Sequence, residues 1–160
     1  MMMPEYRLER AGLEDLEQIA LLFDEYRVYY GQVSDLQGVR FFLKARLEAD
    51  ESAIWMAVTG NGANKEAGGF AQLYPSFSSV SMQRLWILND LYVAAELRGQ
   101  GLGSLLLDGA REFALSTGSK GLTLTTMTDN TTAQRLYVAK GYVRDDEFYT
   151  YNLFLNTKQE

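Results

Sequence analysis

The sequence contains no cysteine, no histidine and only two prolines among its 160 residues. Without cysteine there are no disulfides, no thiolate metal sites and no cysteine nucleophile. Without histidine the commonest metal ligand and the commonest general base are gone, and with them the Ser-His-Asp and Cys-His schemes. No apolar run reaches the roughly 18 residues of a membrane helix, and residues 1–10 lack the basic-then-apolar pattern of a signal peptide. A net charge of −6 argues against a nucleic-acid partner. The expectation is a cytoplasmic protein with no metal, membrane or nucleic-acid partner. Its chemistry must proceed without imidazole or thiol of its own.

What is present is globular: 47% hydrophobic and 22% charged residues, too apolar for disorder, in a length that suits one domain over residues 1–160. The charge is unevenly spread. Residues 1–97 carry a net −6 and residues 145–160 a net −3, whereas residues 98–144 carry +3. One basic stretch in an acidic chain raises the question of which anion it meets.

Apolar periodicity predicts helices over residues 13–30, 35–47, 101–117 and 131–140, the last with Thr131-x-x-Gln134 as a capping box and Gly141 as its stop. Strands are predicted over 6–10, 53–59, 68–74, 85–93 and 122–126, with a closing pair at 142–144 and 148–155. Residues 60–64 form the turn of a hairpin, and residues 75–83 a loop. The order β-α-α-β-β-β-α-β-α-β-β gives an α+β fold. A central mixed, mostly antiparallel sheet of about seven strands is flanked by about four helices.

The sharpest local signal is Arg98-Gly99-Gln100-Gly101-Leu102-Gly103, which follows a strand and opens an apolar helix. Glycines there let backbone N–H groups converge, and the first helical turn adds free amides and a positive dipole end. Such a loop cradles phosphate, with Arg98 at its lip. A Walker A loop fails for want of the lysine, and the dinucleotide fingerprint fails because Ser104 stands where its third glycine belongs.

With these residues the chain resembles the GNAT superfamily of acyl-CoA-dependent N-acetyltransferases. Arg98, Gly101 and Gly103 match the motif Arg/Gln-x-x-Gly-x-Gly/Ala after the strand Leu91-Tyr92-Val93. A second motif is matched by Asn130, Ala133, Leu136, Tyr137, Gly141 and Tyr142. Residues 86–93 further resemble the branch related to yeast histone and polyamine acetyltransferases. The resemblance implies that amides of Gln100, Gly101, Leu102, Gly103 and Ser104, beside Gly99, hold the pyrophosphate of acetyl-CoA. It implies that the main chain of Leu91, Tyr92 and Val93 lines the pantetheine arm, that Asn130, near Ala133, bonds to it, and that Tyr137 stands near the sulfur. Arg135 and Lys140 would reach the nucleotide phosphates.

The implied reaction moves an acetyl group to a primary amine, which must lose a proton before it attacks the thioester. Several family members carry a proton acceptor at the position of Asn89. Asparagine cannot serve as a base, so Asn89 is expected to position water or substrate, with Asp90 and Glu147 as alternative acceptors. In regular alternation Ile87, Asn89, Leu91 and Val93 share one strand face, and Leu88, Asp90 and Tyr92 the other. Tyr137 is the expected proton donor to the leaving thiolate. Tyr26, Tyr30, Tyr74, Asn89 and Glu147 are the expected acceptor contacts, since aromatic walls with carboxylates suit a cationic amine. Polyamine, amino acid and protein lysine all fit. The competing function is a catalytically weak acyl-CoA-binding sensor or subunit on the same fold. Paired strand edges commonly make such domains dimers, so a homodimer stands beside these expectations.

Overall fold

The computed structural model describes residues 4–156; residues 1–3 and 157–160, part of the expected 1–160 domain, lie outside the described residues. The chain divides into two compact units, Met1–Thr125 and Thr126–Glu160.

In the first unit, β1 (Arg7–Arg10) leads through a 3-10 turn into α1 (Leu16–Tyr29) and α2 (Leu36–Glu48). The strands β2 (Ala53–Thr59), β3 (Glu66–Ser78) and β4 (Gln83–Val93) follow, each antiparallel to its predecessor in the sheet. Helix α3 (Leu102–Ser116) returns the chain to β5 (Leu122–Thr123), which pairs parallel to β4. Spatial order equals chain order, β1-β2-β3-β4-β5.

Alternation along β2 shows how the sheet is covered. Ile54, Met56 and Val58 point into a core with Ile19 and Phe23 of α1, Val39 and Leu43 of α2, and Phe70 of β3. Trp55, between them, packs its ring on Phe113 of α3 at 5.7 Å between centroids. Period-two alternation thus feeds two apolar layers, one under α1 and α2 and one under α3. A fully buried side chain such as Phe70 contributes about 1.5–3 kcal/mol relative to exposure. Asp35 caps α2, its carboxylate accepting from the Gly38 amide at 3.0 Å.

Three local expectations change. Strand β3 runs on through Pro75 to Ser78, where a loop was expected. Pro75 lies beyond the last β2–β3 pair, Ala53–Leu73, where the strand has an open edge that tolerates a residue without N–H. In the second unit, α4 (Thr131–Ala139) is capped by Asn130, whose Oδ1 accepts from the Ala133 amide at 3.2 Å, so the cap lies one residue before the expected Thr131. Gln134 does not close a capping box; its amide donates to the carbonyls of Met127 and Thr128 at 3.0 Å each.

The third change is the closing strand pair. Among the described residues no strand follows β5, so the sheet has five strands rather than about seven. Residues 148–155 leave Phe148, Tyr149, Tyr151, Leu153 and Phe154 exposed. β-propensity describes a fit to a pleated surface, and without a ladder partner it specifies no strand. The α+β class and the four α-helices stand as expected. Among the described residues no helix is long and apolar enough to cross a membrane.

Candidate active site

The glycine loop is built by backbone conformation. Gly101 is the N-cap of α3 at φ +88° and Gly99 sits at φ +78°, both in the left-handed region that L side chains reach at a cost of about 1–2 kcal/mol. An added Cβ would meet no atom within 4 Å at either position, so conformation rather than crowding requires glycine. The first helical bond runs from the Leu105 amide to the Gly101 carbonyl at 3.0 Å. The amides of Leu102, Gly103 and Ser104 therefore have no partner within the helix. No acidic side chain stands in the first turn to compete for them, and the helix dipole adds its positive end.

Arg98 ties this loop to the sheet. Its Nε donates to the Val93 carbonyl at 3.0 Å, and its guanidinium lies over the rings of Tyr29 (5.0 Å) and Tyr92 (5.4 Å). Strand β5 pairs with Trp86 and Ile87, so among the described residues β4 from Leu88 to Val93 has no strand neighbour on that side. That open edge carries the main chain of Leu91 and Val93. Tyr92 turns its ring into the α1 core and is 8% exposed, which leaves its main chain for contacts at the edge.

The strict alternation expected along β4 fails at one point. Trp86 and Tyr92 are six residues apart, yet Trp86 packs on Phe113 of α3 (4.9 Å) while Tyr92 packs on Tyr26 of α1 (5.8 Å). The cause is a β-bulge at Asn89: Gln72 lies opposite Asp90, but Leu73 lies opposite Leu88. Asp90 and Tyr92 face α1, whereas Leu88 keeps the face of Trp86. The bulge delivers a carboxylate to the α1 layer next to an exposed Asn89.

Asp90 is 6% exposed and accepts from Gln72 Nε2 at 2.8 Å and from Asn89 Nδ2 at 3.2 Å. Gln72 is fully buried, and its Oε1 has no hydrogen-bond partner. The carboxylate fixes the amide in this sense, because the flipped amide would set oxygen against oxygen. Burial, and then the negative charge of Asp90, push the Tyr26 hydroxyl far above its ordinary value. Burial raises Tyr74 to about 12, with Asp90 adding to the rise and Arg46 opposing it. Both hydroxyls stay protonated at neutral pH. Tyr30 sets its ring edge-on to Tyr26 at 5.1 Å and remains exposed.

Three of the expected acceptor residues, Tyr26, Tyr74 and Asn89, therefore gather around Asp90 in the first unit, and Tyr30 adjoins them through the Tyr26 ring. Asp24, an acid among the same aromatics, instead closes the α1–α2 connection, accepting from Ser34 Oγ (2.6 Å) and the Asp35 amide (2.8 Å). Those bonds hold its carboxyl below the usual range.

Asn130, Ala133, Arg135, Tyr137 and Lys140 lie in the second unit, on α4 and at its ends. Asn130 uses its Oδ1 as the helix cap, which leaves its Nδ2 for another group. Tyr137 is half-buried and packs its ring on Tyr142 at 5.9 Å. Arg135 is exposed. Glu147 is exposed too, its amide donating to Asp145 Oδ1 at 2.9 Å. Gln72 was missed by the sequence reading; the available signal was a lone amide inside the apolar run from Phe70 to Tyr74.

A family model described as the acetyltransferase (GNAT) family matches residues 16–142. An uncharacterized N-acetyltransferase of Bacillus subtilis, YhfO, is 47% identical over 151 residues, covering 94% of this chain and 99% of its own. A crystal structure of a probable acetyltransferase superposes with a TM-score of 0.88 at 41% identity, covering 95% of this chain and 99% of the other. The thialysine N-epsilon-acetyltransferase of Bos taurus is 37% identical over 73 residues, 46% of this chain and 42% of its own.

Proposed function

The chain belongs to the acetyltransferase (GNAT) family and is an acyl-CoA-dependent acetyltransferase, and we propose that it transfers the acetyl group of acetyl-CoA directly to a primary amine. The observation that carries this reading is the pair of left-handed glycines that turn the α3 amides outward beside the open edge of β4. Amides of residues 100–104 receive the pyrophosphate, and the main chain of Leu91 and Val93 runs beside the pantetheine arm. Asn130 Nδ2 bonds to that arm, and Arg135 and Lys140 answer the nucleotide phosphates. The basic stretch of residues 98–144 thereby acquires its anion.

The acceptor enters over Tyr26, Tyr30 and Tyr74, with Asn89 positioning its amine. Asp90 takes the amine proton, directly or through one water. The nitrogen lone pair forms the new C–N bond and the C–S bond breaks; Tyr137 gives its proton to the departing thiolate, and the second N–H proton, shed as the amide forms, passes through water to restore the Tyr137 phenol. Most of the acceleration comes from proximity and from fixed amide dipoles at the developing oxyanion. Glu147 is assigned to the acceptor side on charge. The name of the bovine relative specifies an ε-amine, which supports an acceptor whose amine ends an alkyl chain, whether a small molecule or a protein lysine.

A homodimer belongs to the same proposal. The exposed apolar side chains of residues 148–155 form a strand-like pattern that a second copy would cover, and sedimentation at rising concentration tests it. The cytoplasm is the proposed location. The reaction is tested by measuring CoA release over polyamines, amino acids and lysine peptides. Release with at least one primary amine supports transfer; tight acetyl-CoA binding without release favours a sensor or subunit.

A further inference from the structure

On the α3 face of the sheet lies a cavity of about 470 Å³ whose lining includes Arg10, Ser52, Arg84, Trp86 and Phe113. Phe113 sits eleven residues beyond the start of α3, about 16 Å along the helix from the glycine loop. The cavity plays no part in the proposed acetyl transfer.

Its two arginines are unusual. Among the described residues neither Arg10 nor Arg84 has a carboxylate partner. Arg10 instead lies over the Phe113 ring at 5.0 Å, and Arg84 over the rings of Phe77 (5.1 Å) and Trp86 (5.3 Å). A ring face holds a guanidinium through its π electrons and consumes none of the N–H donors. Two guanidiniums without carboxylate partners line one cleft beside aromatic rings. Asp50 stands in the same lining and reduces its charge to a single positive unit. That balance suits one negative charge and opposes two. The volume falls within the range of small-ligand sites.

We propose that this cavity is a second ligand site, built for a small monocarboxylate with a planar apolar body. The guanidinium forks hold the carboxylate, and Trp86, Phe77 and Phe113 flank the body. Its distance from the glycine loop lets the ligand bind without displacing acetyl-CoA.

The test is a titration of the full chain with benzoate, with benzamide and inorganic phosphate as comparators, followed by amide chemical shifts. Benzoate is expected to saturate and to bind at least about tenfold tighter than either comparator, the scale of a charge-assisted hydrogen bond. Arg84→Gln should weaken benzoate about tenfold while acetyl-CoA affinity stays unchanged, which also reports that the variant is folded. Arg84→Lys should restore binding in part, since it keeps the charge and loses the fork. Failure of benzoate to saturate would overturn the proposal. So would benzamide or phosphate binding as tightly as benzoate, or Arg84→Gln binding like the wild type. Should Arg84→Gln not fold, the benzoate-to-benzamide ratio on the wild type and the Arg10→Gln variant decide in the same way.

Discussion

Replacing Gly101 by alanine isolates the contribution of one backbone angle. At φ +88° an alanine is disfavoured by about 1–2 kcal/mol, and the absence of any atom within 4 Å of the new Cβ removes a steric component. That energy must surface somewhere. If the loop holds its conformation, stability falls, and 1 kcal/mol lowers Tm by roughly 2–4 °C in a chain of this size. If the loop relaxes to negative φ, Tm is kept and acetyl-CoA must restore the bent form on binding, which weakens affinity by roughly 5–30-fold. The two losses, converted to one scale, should sum to about 1–2 kcal/mol. Thermal unfolding and calorimetric titration with acetyl-CoA measure both. Gly118→Ala is the control: it too has positive φ (+65°) and open space, but it follows the C-terminus of α3. It should lose stability alone. A Gly101→Ala protein matching the wild type in both measurements would refute the reasoning, as would an equal affinity loss in Gly118→Ala.

Three further outcomes follow from the same geometry. Tyr137→Phe should lower kcat by roughly 10–10³-fold with acetyl-CoA affinity near normal, and an unchanged kcat in steady-state assays would remove its proton-donor role. Asp90→Asn should lower kcat by about 10²–10⁴-fold while acetyl-CoA affinity holds; a variant of full activity would place the proton acceptor elsewhere. Asp24 contributes stability above the ordinary carboxylate range that is lost as pH falls through its depressed folded value. Asp24→Asn should therefore have a lower Tm at neutral pH and lose less on acidification than the wild type, as read by thermal melts across pH 3–7.

The glycine loop was legible because its function is written in backbone requirements that only glycine meets, and Gly99 and Gly101 fall in the left-handed region as that logic demands. The helices were legible from spacing, and their ends moved by one to three residues: α1 begins at Leu16 after a 3-10 turn where residue 13 was expected, and Asn130 displaces Thr131 as the cap of α4. The bulge at Asn89 was not legible, since an extra residue in one strand depends on the register of its partner. It altered the site most, by turning Asp90 toward Gln72, Tyr26 and Tyr74. The closing strand pair failed for the converse reason: residues 148–155 have the alternation of a strand, but pairing is a property of two segments.

With no cysteine or histidine to carry the acetyl group, the account requires both substrates on the enzyme at once. The direct measurement is an initial-rate matrix of acetyl-CoA against a primary amine found active in the CoA-release screen. Lines that intersect in the double-reciprocal plot are the predicted result, the mark of a ternary complex. Parallel lines, the ping-pong signature of an acetylated enzyme, would contradict direct attack.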